Sequence, residues 1–123
     1  MMTKMWTFTI PSLPSKECSP NARVGWAVRY RANRAAVDEI IAEVRMQGWV
    51  GTPLEHAVIS IKFGLPDKRA RDMDNLIAAA KPYLDGLKGL VIQDDSYKHI
   101  KVTYDWFLSP RKPQTVITVR DDA

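Results

Sequence analysis

Leu54-Glu55-His56-Ala57-Val58-Ile59-Ser60-Ile61-Lys62-Phe63 is the stretch from which the fold is read. Ala57, Ile59, Ile61 and Phe63 alternate with Val58, Ser60 and Lys62. That period of two places one set of side chains on each face, the pattern of a strand with one side in a core. Gly51-Thr52-Pro53 makes the turn before it, and Gly64 opens a loop after it.

Upstream, Gly48 closes a helix expected from about Arg23 to Gln47. Trp26, Tyr30, Val37, Ile40, Ile41 and Val44 recur along it at helical spacings and read as one core-facing stripe. Arg23, Arg34 and Arg45 lie eleven residues apart, within about 40° of one line, a solvated face that could also track a phosphate backbone. Further back, Trp6-Thr7-Phe8-Thr9-Ile10 reads as a short strand stopped by Pro11, followed by a Pro- and Ser-punctuated loop to Asn21.

Downstream, a second helix is expected from about Asp74 to Leu87, with Leu76, Ala80, Tyr83, Leu84 and Leu87 on its core face. Asp74, Ala78, Lys81, Asp85 and Lys88 occupy the opposite face. Pro82 breaks the rule for a helix interior, so either the helix kinks there or a new segment begins near Lys81. Two strands, His99 to Leu108 and Gln114 to Arg120, complete the chain and read as an antiparallel hairpin around Ser109–Pro113. The order β-α-β-α-β-β predicts an α/β (α+β) fold. Its small mixed sheet has about four strands, with two main helices packed on one face.

The 123 residues fit one domain, 1–123, with 46% apolar and 26% charged residues. The net charge of +4 hides a partition: four of the 14 acidic residues are the paired Asp72, Asp74, Asp94 and Asp95. Without them the balance is 18 basic to 10 acidic, or +8, which favours a polyanionic partner such as nucleic acid. Cys18 is the only cysteine, so an intrachain disulfide and a Cys-rich zinc site are excluded. No signal-peptide core and no apolar run of membrane-spanning length occur, so a cytoplasmic protein with no membrane partner is expected. His56 and His99 have no partner spacing that marks them as ligands and read as structural.

The chemistry concentrates between Lys68 and Asp95. Closely spaced carboxylates repel one another unless a cation lies between them. Mg²⁺ prefers one or two carboxylates completed by water and phosphate, so a metal site beside the basic cluster Lys68, Arg69 and Arg71 is suggested. An EF-hand is excluded, because its glycine position is Ile77 and its closing glutamate position is Tyr83. Taken singly, Asp74 or Asn75 could cap a helix, Asp85 could pair with Lys81 at i, i+4, and Asp94-Asp95-Ser96 could be a polar turn.

Arg71-Asp72-Met73-Asp74-Asn75-Leu76, then Lys81, then Asp85-Gly86-Leu87, then Asp94-Asp95-Ser96 resembles the RusA family of Holliday junction resolvases. The specific part spans residues 69 to 96. The resemblance implies a homodimeric, Mg²⁺-dependent crossover junction endodeoxyribonuclease, with Mn²⁺ as a substitute, that cuts four-way branched DNA in recombination and repair. It places metal ligation and catalysis on Asp72, Asp74 and Asp95 with Asp94 beside them, and the catalytic lysine on Lys81. Lys68, Arg69, Arg71 and Asn75 become DNA contacts. One departure stands out: the family's lysine follows its asparagine by three residues, where this chain has Ala78. On a continuous helix Lys81 would lie about 60° from that direction.

Overall fold

In the computed structural model, which describes residues 5–122, the elements run in order β1 (Met5–Ile10), α1 (Trp26–Met46), β2 (Ala57–Leu65), α2 (Met73–Ala79), α3 (Lys81–Leu87), β3 (Ile100–Leu108) and β4 (Gln114–Asp121). A single 3-10 turn, Lys16–Cys18, interrupts the loop before α1. The four strands form one mixed sheet in the order β1-β4-β2-β3. The expected class, a small mixed sheet with helices packed on it, is what the chain adopts.

The alternation that defined β2 is realised in its burial. Ala57, Ile59, Ile61 and Phe63 are buried, and so are Phe8 and Ile10 of β1 and Ile117 and Val119 of β4. These side chains form one core with Ala36, Ile40 and Val44 of α1 and Tyr83, Leu84 and Leu87 of α3. On the opposite phase of the sheet Thr7, Lys62, Thr103 and Arg120 are exposed, while Val58, Ser60, Val116 and Thr118 of the central strands are half-buried. Burial on one face with polar residues on the other keeps the register fixed, because a one-residue slip would invert every strand.

The expected hairpin does not form. β3 pairs in parallel with β2, and β4 lies on the other side of β2, antiparallel to it and to β1. The five residues after β3 pass over the end of β2, where the Ser109 N–H donates to the Leu65 carbonyl at 2.7 Å. Five residues readily span two strand spacings of about 4.8 Å. Gly64 makes room for this crossing: a Cβ there would lie 2.7 Å from Gln114 Cγ and 2.9 Å from Phe107 Cζ.

α1 begins at Trp26 and is closed by Gly48, whose φ of 78° is one a residue with a side chain rarely adopts. Its core stripe is shorter than the periodicity predicts. Ile40 and Val44 are fully buried, but Trp26 is 81% and Tyr30 63% exposed. The fully buried positions of α1 lie in its later turns, and the first turns leave both aromatic rings in solvent. At the other end α1 approaches α3 so closely that a Cβ on Gly86 would lie 2.3 Å from Ile40 Cγ2. Overpacking of that kind typically costs about 1–3 kcal/mol.

The second predicted helix is two helices. Ala80 (φ −83°, ψ −9°) closes α2 and opens α3, and Pro82 is the second residue of α3. A first-turn N–H has no helical acceptor, so proline loses nothing there. Among the described residues no helix is long and apolar enough to cross a membrane.

Candidate functional site

The break at Ala80 makes Lys81 the first residue of α3, and that placement organises the charges around it. Lys81, Asp85 and Lys88 follow at i, i+4 and i+7, forming a +, −, + stripe along α3. The loop carrying Asp94 and Asp95 lies against this stripe. Lys81 Nζ contacts Asp85 Oδ1 and Asp95 Oδ2, each at 2.5 Å, and Lys88 Nζ lies 3.2 Å from Asp94 Oδ1. The two neighbouring aspartates thus splay onto two lysines seven residues apart. A regular strand would have turned one of them away; the irregular backbone of residues 93–96 lets both face α3.

Partial burial of Lys81 disfavours its charge, but hydrogen bonds and attraction from Asp85 and Asp95 outweigh it and raise the pKa above 10.5. The ammonium is therefore held charged between two carboxylates from separate segments. Lys88 acts in the other direction on Asp94, its hydrogen bond holding that carboxyl below the usual aspartate range. Tyr104 of β3 flanks the same place. Burial raises its phenol pKa and the Lys81 charge opposes the rise, while its ring stacks on Phe63 at 6.4 Å.

Asp72 and Asp74 are engaged differently. The Asp72 carboxylate accepts the Asp74 N–H at 2.9 Å and is the N-cap of α2. Asp74 follows in the first turn, exposed, and among the described residues its carboxylate has no hydrogen-bond or ion-pair partner. Asn75 accepts a hydrogen bond from Asn21 Nδ2 at 2.8 Å, tying the start of α2 to the loop before α1.

The basic cluster divides by role. Arg71 Nη1 donates to the Asp67 carboxylate at 3.0 Å and to the Arg69 carbonyl at 3.1 Å, and its side chain is only 14% exposed. Arg71 thus shapes the loop rather than facing solvent. The Arg71 hydrogen bond and the Arg69 N–H in turn hold the Asp67 carboxyl below its ordinary range. Lys68 and Arg69 are exposed, and among the described residues neither side chain makes a hydrogen bond or ion pair. Arg69 lies between a groove of about 680 Å³, lined also by Leu13, Asp72 and Asn75, and a smaller cavity of about 330 Å³ against Trp106.

Of the four aspartates expected to hold a metal, only Asp74 is left without a partner among the described residues. Among the described residues no three carboxylate, imidazole or thiolate side chains are gathered closely enough to hold a metal ion. Asp72 caps a helix, Asp94 and Asp95 each face a lysine, and an ammonium takes the position between Asp85 and Asp95. The common face expected for Asp74, Lys81 and Asp85 assumed one continuous helix, and the break at Ala80 ends that reckoning. The 60° offset between positions 78 and 81 lapses for the same reason.

Two partners in this region, Asp67 and Tyr104, were not singled out from the sequence, whereas the Lys81–Asp85 pair is the i, i+4 contact that its spacing suggests. Asp67 sits four residues from Arg71, a spacing that signals a helical or turn pair without marking a site. Tyr104 is one inward position of a strand, and nothing in its neighbourhood in the chain points to Lys81.

No protein-family model matches the chain. Over 95 residues, 75% of the chain, it is 38% identical to an uncharacterized protein of Xylella fastidiosa. The matched stretch spans 61% of that protein's length.

Proposed function

We propose that this protein is a structure-specific endodeoxyribonuclease of the RusA type, acting on the phosphodiesters of branched DNA such as a four-way junction. The observation that carries the reading is the Lys81 ammonium, fixed between Asp85 and Asp95, in a segment whose Asp74 carboxylate has no partner of its own among the described residues. The ordered set of residues from Arg71 to Ser96 supports it independently through the resemblance.

In this reading the chain's residues divide the work. Lys68 and Arg69, exposed at the start of the segment, grip phosphates and orient the strand without reading its sequence. Lys81, held charged and in place, offsets negative charge that develops at the attacked phosphate. Asp85 and Asp95 fix the ammonium so that little reorganisation is needed. Arg71 and Asp67 stiffen the loop that carries the other cations. Mg²⁺, with Mn²⁺ as substitute, belongs to the same proposal. It rests on the resemblance, and the cleavage assay reads it directly. A twofold pair of chains with two sites would suit paired cuts in a junction of near-twofold symmetry.

A second reading, junction binding without cutting, is favoured by one observation: lysine ammonium groups already face both Asp94 and Asp95. A labelled four-way junction incubated with Mg²⁺, Mn²⁺ or EDTA separates the two, with Asp74→Asn run alongside. The nuclease reading expects paired, symmetric cuts that need a divalent ion and fall by on the order of a hundredfold or more in the variant. Retarded but uncut junction under every metal would leave the binding reading.

A further inference from the structure

The first turns of α1 carry a feature that the site does not use. Trp26 and Tyr30 are 81% and 63% exposed, and at i, i+4 they lie on one face of the helix. Residues 19–37 contain four arginines (Arg23, Arg29, Arg31 and Arg34) and no acidic residue. Arg23 and Arg31 are exposed, and among the described residues neither makes a hydrogen bond or ion pair. Arg29 Nη2 donates to the Ala22 carbonyl at 2.9 Å, which braces the entry to the helix.

Two flat rings in a segment with two unpaired guanidinium groups, Arg34 being paired with Asp38, suit a polyanion that offers flat apolar faces, which is unpaired nucleic acid. A second copy of the chain fits the same surface poorly. Two rings offer at most about 500 Å² of contact, against about 800 Å² per partner in a stable interface. A twofold contact would also set the arginines against one another.

The platform is tethered to the candidate site. Asn21 bonds Asn75 next to Asp74, and the five residues from Asn21 to Trp26 reach at most about 18 Å. We propose that Trp26 and Tyr30 form a stacking platform for unpaired bases of a DNA strand, with Arg23 and Arg31 on its phosphates. The choice of DNA rests on the nuclease reading; the stacking does not.

Binding is measured without cutting, in EDTA, by fluorescence anisotropy of a labelled dT 12-mer and of a blunt duplex. The proteins are the wild type, Trp26→Ala/Tyr30→Ala and Trp26→Phe/Tyr30→Phe. Both side chains are exposed, so the variants should fold, and circular dichroism checks this. Stacking predicts a loss of at least about fivefold per ring for the alanine pair on the dT strand. The duplex should change by less than about threefold, and the phenylalanine pair should stay close to wild type on both. Equal loss on strand and duplex, no loss on either, or a wild-type protein that binds neither would overturn the proposal. So would a wild-type dimer that the alanine pair disperses in sedimentation, since a second copy would then cover the rings. Ring-dependent strand binding by a protein that cuts no junction would uphold the platform while removing the nuclease reading.

Discussion

Asp72 and Asp74 look much like Asp94 and Asp95 in the sequence: two carboxylates adjacent or separated by one residue. The fold uses them in opposite ways. The second pair is neutralised by side chains, each aspartate facing a lysine of α3. The first pair is satisfied through the backbone, one carboxylate capping α2 and the other left exposed without a partner among the described residues. Acidic pairs with one signature can thus hold very different electrostatic roles, and only the position of the nearest cation decides which. Lys81 and Lys88 lie across from residues 94–95 because α3 starts anew at Lys81, whereas the basic residues before Asp72 turn toward Asp67 or toward solvent.

Substitutions at three of the four positions test this contrast. The largest effect on stability is expected at Asp72. Asp72→Ala removes the cap of α2 and should cost about 1 kcal/mol in denaturant unfolding, while Asp72→Asn should cost only a few tenths because asparagine caps as well. Equal losses would show that charge rather than capping matters there.

Asp95→Asn should cost less, about 0.5–1 kcal/mol, because Lys81 is half exposed and keeps Asp85. The Lys81 pKa is raised in the fold, so its contribution is fully present below pH 10.5 and is lost as pH rises through the folded value. The difference in Tm between wild type and Asp95→Asn should therefore close at strongly alkaline pH. Asp94→Asn should lower Tm at neutral pH by less than Asp95→Asn, since the pair with Lys88 is more solvated. A loss at Asp94 as large as that at Asp95 would break the proposed ranking within the pair.

Much of the fold was legible because burial follows local pattern. The period-two run at Ala57–Phe63 marked the central strand, and the apolar spacing from Ala80 to Leu87 marked the inner face of α3. Pairing was not legible. A five-residue link between two strands suits a hairpin, but the space above Gly64 lets the link cross β2 instead. The periodicity of α1 could not show that its first turns leave their rings in solvent, so Trp26 and Tyr30 read as core although both are exposed. Pro82 did mark the break in the second helix, yet its alternatives, kink or restart, differ in backbone geometry that a sequence pattern does not encode. At the site, the two acidic pairs, Lys81 and the exposed Lys68 and Arg69 were legible as residues. Of the partners of Lys81 only Asp85, at i, i+4, was legible, since Asp95 reaches it across fourteen residues and Tyr104 across twenty-three.

The central claim is that Lys81, clamped by Asp85 and Asp95, supplies the positive charge for phosphodiester cleavage. Single-turnover cutting of a labelled four-way junction by Lys81→Met, with junction affinity measured separately in EDTA, tests it most directly. The account predicts that cutting falls by about a hundredfold or more while affinity changes less than about threefold. A variant that still cuts at the wild-type rate would contradict it.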